Sequence, residues 1–352
     1  MFRCAGRVSI ISSTDNVADA RLHRLTNALI KSGIPVEIWA LGDSSDAPPG
    51  AIFHPAPGGK NFYARVWRNL ILPFKAQGEV VIAVAPDLLV TSWAISRLRG
   101  QKIVADVHEN YLQLLRDRAW ANGVLGAIGK SVARLATNIA AHCDLTIVAD
   151  VQVPPFSART RIVVRNLPDH SLLTPSGELD LQPRAIYIGD LRKSRGLNMM
   201  IDIAKLCPEW KFDFIGNLSD PITEFPSSIT FHGRLAPKDA WTFAKGAWVG
   251  LTLLESTPAF LDAVPSKLYE YMCSGLAIIS TPLPRCIALI EKSQSGVIAS
   301  SAQEVADQLA LWAADPSTLI AARANGLQWS AQNLDSEAEY GAFVSGVKSL
   351  IK

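Results

Sequence analysis

Short runs of apolar residues alternate with amphipathic stretches along most of the chain. The short runs are rich in Val and Ile and end at turn residues, which is typical of buried strands, whereas the longer stretches carry apolar positions at helical spacing. In the first half, strands are predicted at 8–12, 36–40, 80–85, 103–107, 145–149 and 162–164, and a helix at 18–32. This βαβ order predicts a parallel, doubly wound sheet.

The pattern stops and then restarts near the middle of the chain. Turn residues cluster at 166–169 and 174–177, so we expect an interdomain linker at about 166–183. Further strands are predicted at 185–188, 212–215, 229–231, 248–253 and 277–280, and helices at 197–206, 267–274 and 336–351. The expected fold class is α/β, with two Rossmann-like doubly wound domains facing an interdomain cleft, where the carboxyl ends of strands hold ligands.

The domains are expected at 1–168 and 169–329, followed by a C-terminal helix at about 330–352. A length of 352 residues and an apolar content of 49% suit two packed domains. Residues 1–168 carry 19 Lys and Arg against 12 Asp and Glu, whereas residues 169–352 carry 15 against 20. A basic first half favours an anionic partner there: a phospholipid surface, a lipid diphosphate or nucleic acid.

The segment 262–275, DAVPSKLYEYMCSG, carries the sharpest chemical signal. Pro265 is predicted at the first position of a helix, whose free amides and positive dipole end suit a diphosphate. Lys267 opposes the dipole in the first turn, so it makes more sense as a ligand group than as a helix stabiliser. Glu270 is placed to accept hydrogen bonds from ribose hydroxyls, and Gly275 to end the helix. The alternative is an ordinary amphipathic helix with exposed Lys and Glu.

With the residues that follow it, this segment resembles the nucleotide-sugar motif of the large retaining glycosyltransferase family 4, in its P-S-K-L-x-E branch. The resemblance implies the GT-B fold and a donor-sugar contact from Asp262, an aspartate where the family usually has glutamate. It implies a ribose contact from Glu270, eight positions on, and further donor contacts from Ser266, Lys267 and Leu268. No metal and no cofactor are implied, because the nucleotide sugar is a co-substrate.

A second segment, YIGDLRKSRG at 187–196, resembles the strand-to-loop region of the same family. Gly189 would let the backbone approach a phosphate closely. By resemblance Arg195 grips the diphosphate, and Arg192 joins the donor contacts because Asp190 stands where many members carry arginine. A solvated basic turn is the alternative interpretation.

Two segments of the first half resemble family positions near the reacting groups. VADVHE at 104–109 resembles the D-x-H-E segment and implies that His108 lies near the reacting carbons, so the implied catalytic residues are His108, Arg195 and Lys267. Asp19, Arg21 and Glu109 are the acceptor-side residues that the resemblance implies.

The stretch 60–75 is predicted to be a basic amphipathic helix with aromatic residues, which is typical of a membrane-surface helix. We expect membrane contacts from Phe62, Arg65, Trp67, Arg68 and Lys75. The alternative is that its apolar arc packs on the sheet of the domain.

Together with these patterns, the resemblance implies a retaining hexosyltransferase that moves a sugar from a UDP- or GDP-linked donor to a saccharide or lipid-linked saccharide, in cell-surface polysaccharide or glycolipid assembly. The resemblance also implies that the C-terminal helix crosses back to the first domain. The expected location is cytoplasmic, peripheral on an anionic membrane, with no nucleic-acid partner. Two alternatives stay open: a nucleotide-sugar 2-epimerase of the same fold and a non-catalytic membrane-associated subunit.

Overall fold

The computed structural model describes residues 4–59, 61–116, 123–222, 224–258 and 260–352, so Lys60, the first residue of the predicted amphipathic helix, lies outside the described residues. The chain divides into two compact units. The first unit is Met1–Asn166 with Glu337–Lys352, and the second unit is Leu167–Ser336.

The first unit is built on a seven-stranded parallel sheet with strand order β3-β2-β1-β4-β5-β6-β7. Its strands are β1 (Cys4–Asn16), β2 (Val36–Leu41), β3 (Ile52–Pro55), β4 (Gly78–Ala83), β5 (Lys102–Val107), β6 (Leu145–Val148) and β7 (Arg161–Val163). Its helices are α1 (Ala20–Lys31), α2 (Phe62–Lys75), α3 (Pro86–Arg99), α4 (Tyr111–Arg116), α5 (Gly123–Ala141) and α12 (Ser336–Lys348).

Helices cover both faces of this sheet, which explains why its central strands read as continuous apolar runs. On one face the core contains Leu22, Leu25 and Leu29 of α1 together with Phe343 and Val347 of α12. On the other face the sheet packs against a layer to which α2, α3 and α5 contribute buried side chains. The strand order reverses between β1 and β4, so the carboxyl ends of these two strands mark the switch point of the unit.

The second unit is built on a six-stranded parallel sheet with strand order β10-β9-β8-β11-β12-β13. Its strands are β8 (Arg184–Ile188), β9 (Lys211–Ile215), β10 (Ile229–Phe231), β11 (Val249–Thr252), β12 (Ala277–Ser280) and β13 (Gly296–Ile298). Its helices are α6 (Leu197–Leu206), α7 (Pro237–Thr242), α8 (Ser266–Cys273), α9 (Pro284–Ser293), α10 (Ala302–Ala314) and α11 (Ser317–Asn333). The switch point lies between β8 and β11.

The prediction of an α/β fold with two Rossmann-like parallel sheets is confirmed. Two strands were not predicted, β3 and β13, and both are short strands at a sheet edge. None of the residues of β3 or β13 is fully buried. They therefore lack the apolar run by which a central parallel strand is recognised.

Candidate functional site

The helix start at the switch point of the second unit differs by one position from the expectation. Pro265 is the N-cap residue of α8 rather than its first helical residue, and no side chain caps the helix. The Leu268 amide donates to the Pro265 carbonyl at 3.0 Å. At the other end Gly275, at a φ of 64°, follows the helix, and the amides of Gly275 and Leu276 donate to the last-turn carbonyls of Met272 and Tyr271. This is a Schellman ending, as the glycine predicted.

The ammonium of Lys267 lies directly against the loop that follows β8. A Cβ atom added to Gly189 would lie 2.6 Å from Lys267 Cε and closer still to Nζ, so only glycine leaves room for the ammonium. Lys267 Nζ also lies 5.3 Å from the centroid of the Tyr187 ring, a cation–π contact. The expected close approach at Gly189 is therefore made by the lysine side chain.

This placement changes the chemistry of the lysine. Burial and, after it, the positive charge of Arg195 lower the pKa of Lys267 to about 8, against the opposing charges of Glu270 and Asp190. Burial likewise raises the pKa of Tyr187 to about 12, while Arg195 opposes the rise. Two cations thus share a half-buried site, and an anionic ligand would relieve the cost of burying them.

The loop after β8 holds a counter-charge for one of the predicted donor residues. The Ser219 hydroxyl donates to the Asp190 carboxylate at 2.5 Å, and the Arg192 Nε lies 3.6 Å from the same carboxylate. Asp190 therefore neutralises part of the charge of Arg192. Arg195 closes a short 3-10 turn, after which α6 begins at Gly196 with no side-chain cap. Two uncapped helix starts and two cations thus stand at the switch point.

The other predicted donor residues are placed differently. Asp262 is exposed in the loop before α8, where its backbone carbonyl accepts a hydrogen bond from Arg285 at 3.0 Å. Ser266 is half-buried as the first residue of α8. Leu268 corrects the prediction: its side chain is fully buried in the apolar core under α8, so it supports the helix and offers no side-chain contact to a donor.

A cavity of about 430 Å³ opens at the same sheet edge. It is lined by residues that follow the strands of the second unit, among them Lys193, Gly196, Glu255, Ser256, Thr281 and Ser300. A volume of this size suits a small polar ligand.

In the first unit, His108 lies at the carboxyl end of β5, half-buried, and its Nδ1 is buried without a hydrogen-bond partner among the described residues. Asp15, at the end of β1, lies close enough for their charges to interact. Burial raises the pKa of the Asp15 carboxyl, and His108 and the Ser12 hydroxyl oppose that rise. The sequence analysis missed Asp15, although an acid at the end of the first strand was a usable signal.

Two predicted acceptor-side residues have structural roles instead. The Asp19 carboxylate caps α1 by accepting from the amides of Arg21 and Leu22. The Arg21 guanidinium is 6% exposed and donates to the Asp106 carboxylate at 2.7–3.0 Å and to the Val164 carbonyl at 2.8 Å. Arg21 is thus enclosed in an ion pair that joins α1 to β5, which removes it from the surface. Glu109, the third predicted acceptor-side residue, is exposed.

The predicted membrane helix corresponds to α2, but two of its expected membrane contacts, Arg65 and Arg68, bond to other residues of the unit. Arg68 is only 1% exposed, and its guanidinium donates to the carbonyls of Ser13 and Gly59, so it is no membrane contact. Arg65 forms an ion pair with Asp87 at 2.6 Å. No helix in the described part of the chain is both long and apolar enough to cross a membrane. Likewise, no cluster of His, Cys, Asp and Glu among the described residues is arranged to hold a metal ion.

Comparison with known proteins finds a sequence match in the second unit. Residues 175–329, most of the second unit, match the family model described as glycosyl transferases group 1. No curated protein sequence matches the chain.

The fold is shared with solved glycosyltransferases of low sequence identity. The sucrose-phosphate synthase of Thermosynechococcus elongatus is 13% identical, with a TM-score of 0.72 over 98% of both chains. HepE of Anabaena, solved in complex with UDP and glucose, is 12% identical, with a TM-score of 0.70 over 97% of this chain and 99% of that one. The spinosyn forosaminyltransferase SpnP is 14% identical, with a TM-score of 0.61 over 99% and 100%. The chain thus has the GT-B fold, and most of its second unit is similar to the group 1 family model.

Proposed function

We propose, from the match of residues 175–329 to the group 1 glycosyltransferases, that the chain is a retaining glycosyltransferase that uses a UDP- or GDP-linked sugar. The observation that supports this most is the placement of Lys267 and Arg195 beside the Gly189 loop and two uncapped helix starts. A diphosphate is the anion that this group of donors suits best.

The two cations have a defined part in the proposed reaction. As the bond between the donor sugar and the diphosphate breaks, negative charge develops on the leaving phosphate oxygens. Lys267 and Arg195 are held in place beforehand by Tyr187, Gly189 and the turn before α6, so they stabilise this charge with little reorganisation. The leaving group then departs without a metal ion.

The remaining residues bind and orient the substrates in this proposal. Glu270 accepts hydrogen bonds from the ribose hydroxyls, and its charge opposes the lowering of the Lys267 pKa. Asp262, in the loop before α8, and Ser266, its first residue, also contact the donor. His108 and Glu109 meet the sugar and the acceptor, and Asp15 orients the histidine. Because Asp262 is exposed and shorter than glutamate, we assign less of the donor binding to it than to Lys267.

The acceptor in this proposal is a saccharide or lipid-linked saccharide used in cell-surface polysaccharide or glycolipid assembly at the cytoplasmic face of a membrane. The excess of basic residues in 1–168 supports it, because a lipid diphosphate and an anionic leaflet both attract cations.

A panel of nucleotide sugars tests the proposal. The full chain is incubated with each donor, and free nucleotide, isomerised sugar and the change in melting temperature are measured. We expect one UDP or GDP sugar to release nucleotide and to raise the melting temperature by linkage. An isomerised sugar without nucleotide release would instead show a 2-epimerase, and no stabilisation by any nucleotide would show a non-catalytic subunit.

A further inference from the structure

Helix α2 has an unusual distribution of side chains for a helix that covers a sheet. Its inward face carries Arg68, Asn69, Leu72 and Pro73, two of them polar. Its outward face carries six large apolar side chains with exposed fractions from 42% to 83%, namely Phe62, Tyr63, Val66, Trp67, Leu70 and Phe74. The sequence alternative, in which the apolar arc packs on the sheet, is therefore wrong for most of the arc. Contiguous exposed apolar side chains of this kind mark a surface that binds a partner.

Polar bonds hold this orientation. The Arg68 Nε donates to the Ser13 carbonyl at 2.8 Å, and Arg65 pairs with Asp87, which anchors the middle of the helix. The Asn61 side chain caps the start of the helix by accepting from the Ala64 amide at 2.8 Å. Since these bonds would break if the helix rotated to bury its apolar face, the face stays outward.

The charge around this face is positive. Arg99 donates to the last carbonyls of α2, and Lys75 lies over the Trp39 ring at 5.3 Å. On α5, in the same layer, Arg134 is exposed and Lys130 half-buried, and no acidic residue occurs in Gly123–Ala141. The acidic residue of the layer helices α2, α3 and α5 is Asp87, which is already paired with Arg65.

Exposed apolar side chains continue on the neighbouring helices. Val124, Ile128 and Leu135 of α5 and Leu98 of α3 have exposed fractions of 47% to 87%. A broad apolar surface set among cations, on helices α2, α3 and α5 whose acidic residue is the paired Asp87, fits the interface of an anionic bilayer, where aromatic rings lie at headgroup level and cations meet lipid phosphates.

We propose that the outward face of α2, defined as Phe62, Tyr63, Val66, Trp67, Leu70 and Phe74, docks the protein on an anionic lipid bilayer. The purpose of this docking rests on the proposed function. Helix α2 runs antiparallel to the strands, so Phe62 and Tyr63 lie at the sheet edge where β1 ends. Arg68 ties the helix to Ser13, close to Asp15. A docked α2 therefore brings the edge that carries Asp15 and His108 to the lipid surface, where a lipid-linked acceptor resides.

Flotation of the full chain with vesicles tests the docking. Vesicles of phosphatidylcholine and phosphatidylglycerol in equal parts are compared with phosphatidylcholine alone, at low and at physiological ionic strength. We expect flotation with the anionic vesicles that weakens as salt rises, because exposed charges are screened. The absence of flotation at low salt would overturn the proposal, and so would self-association through this face that leaves the vesicles unbound.

Matched variants identify the surface. The triple variant Trp67→Ser, Leu70→Ser, Phe74→Ser is expected to lower vesicle affinity by at least about tenfold, since the apolar area that enters the interface is lost. The control Leu181→Ser, Leu311→Ser, Ile320→Ser removes three exposed apolar side chains from the second unit and is expected to bind as wild type does. Equal binding of the two triple variants would show that α2 is not the docking face.

Charge reversal at Lys75→Glu with Arg134→Glu is expected to abolish the preference for anionic vesicles, and an unchanged preference would contradict the charge argument. Flotation needs neither donor nor acceptor, whereas the melting-temperature rise with nucleotide needs no membrane. Vesicle binding without a nucleotide effect would therefore refute the proposed transfer alone. A nucleotide effect without vesicle binding would refute the docking alone.

Discussion

The lysine at the second unit's switch point is expected to make the ligand-free protein less stable. Replacing Lys267 with methionine keeps the volume and the contact with the Tyr187 ring but removes the charge. Since burial lowers the pKa of Lys267 from 10.5 to about 8, at about 1.4 kcal/mol per pKa unit, the charge costs at most about 3.4 kcal/mol at neutral pH. Solvent screening at this half-buried site reduces the figure, so we expect Lys267→Met to stabilise the free protein by about 1–2 kcal/mol.

The dependence on pH gives the sign of the effect. The folded protein releases the lysine proton near pH 8 and the unfolded chain near 10.5, so between these values the unfolded state binds more protons. The wild type therefore gains stability relative to Lys267→Met as pH rises through this window, and the advantage of the variant is largest below pH 8. Other titrating groups cancel in the difference between the two proteins.

Ligand binding reverses the order. With nucleotide at about 100 times its dissociation constant the wild type gains about 2.7 kcal/mol, whereas a variant that binds about 100-fold more weakly gains only about 0.4 kcal/mol. Urea unfolding at several pH values, with and without UDP and GDP, measures both effects, and Lys238→Met, at an exposed lysine, is the matched control. A Lys267→Met protein no more stable than wild type at pH 7, yet equally stabilised by nucleotide, would refute the reasoning.

Three further substitutions test the donor site and one buried ion pair of the first unit. Gly189→Ala is expected to displace the lysine ammonium and to cut the nucleotide-induced rise in melting temperature by more than half, whereas Gly177→Ala, where a Cβ meets nothing within 4 Å, leaves that rise intact. Glu270→Ala is expected to lower kcat/KM by at least about 100-fold, or about 2.7 kcal/mol, with the fold preserved by circular dichroism; near-wild-type rates would remove it from the donor site. Arg21→Ala is expected to cost about 3–5 kcal/mol in urea unfolding because it leaves its carboxylate partner buried and unpaired, against less than about 1 kcal/mol for Lys205→Ala at an exposed pair. A similar loss in both variants would show that burial of the pair has no weight.

The donor site could be predicted from sequence to the extent that its signals are local. A helix start after Pro265 and a glycine ending at Gly275 depend on neighbouring residues along the chain, and these predictions were correct to within one position. The meeting of Lys267 with Tyr187 and Gly189, about eighty residues away, depends on sheet order. The lowered pKa of Lys267, which results from this meeting, could therefore not be predicted from the sequence.

Predictions about polar residues failed where burial decides the role. In the sequence, Arg21 and Arg68 cannot be told from exposed basic residues. In the structure both are buried and bonded to carboxylate or carbonyl oxygens. The hydrophobic periodicity of a sequence predicts a helix, but it does not show which face is buried when the polar side chains of that helix can find hydrogen-bond partners inside the protein. Leu268 is the converse case. Its position in the motif predicted a contact with the donor, but its side chain is buried in the apolar core.

The order of the buried central strands was determined by the sequence alone, because turn residues limit each of these apolar runs locally. The tertiary structure decided which residues meet: β8 beside β11 brings Lys267 to Gly189, and β1 near β5 brings Asp15 towards His108. It also decided that α2 turns its apolar side to solvent, since Arg68 finds its carbonyl partners at Ser13 of β1 and at Gly59 in the loop before α2. Helix and strand propensities depend on residues that are adjacent in the sequence, whereas burial and charge pairing depend on residues that only the fold brings together.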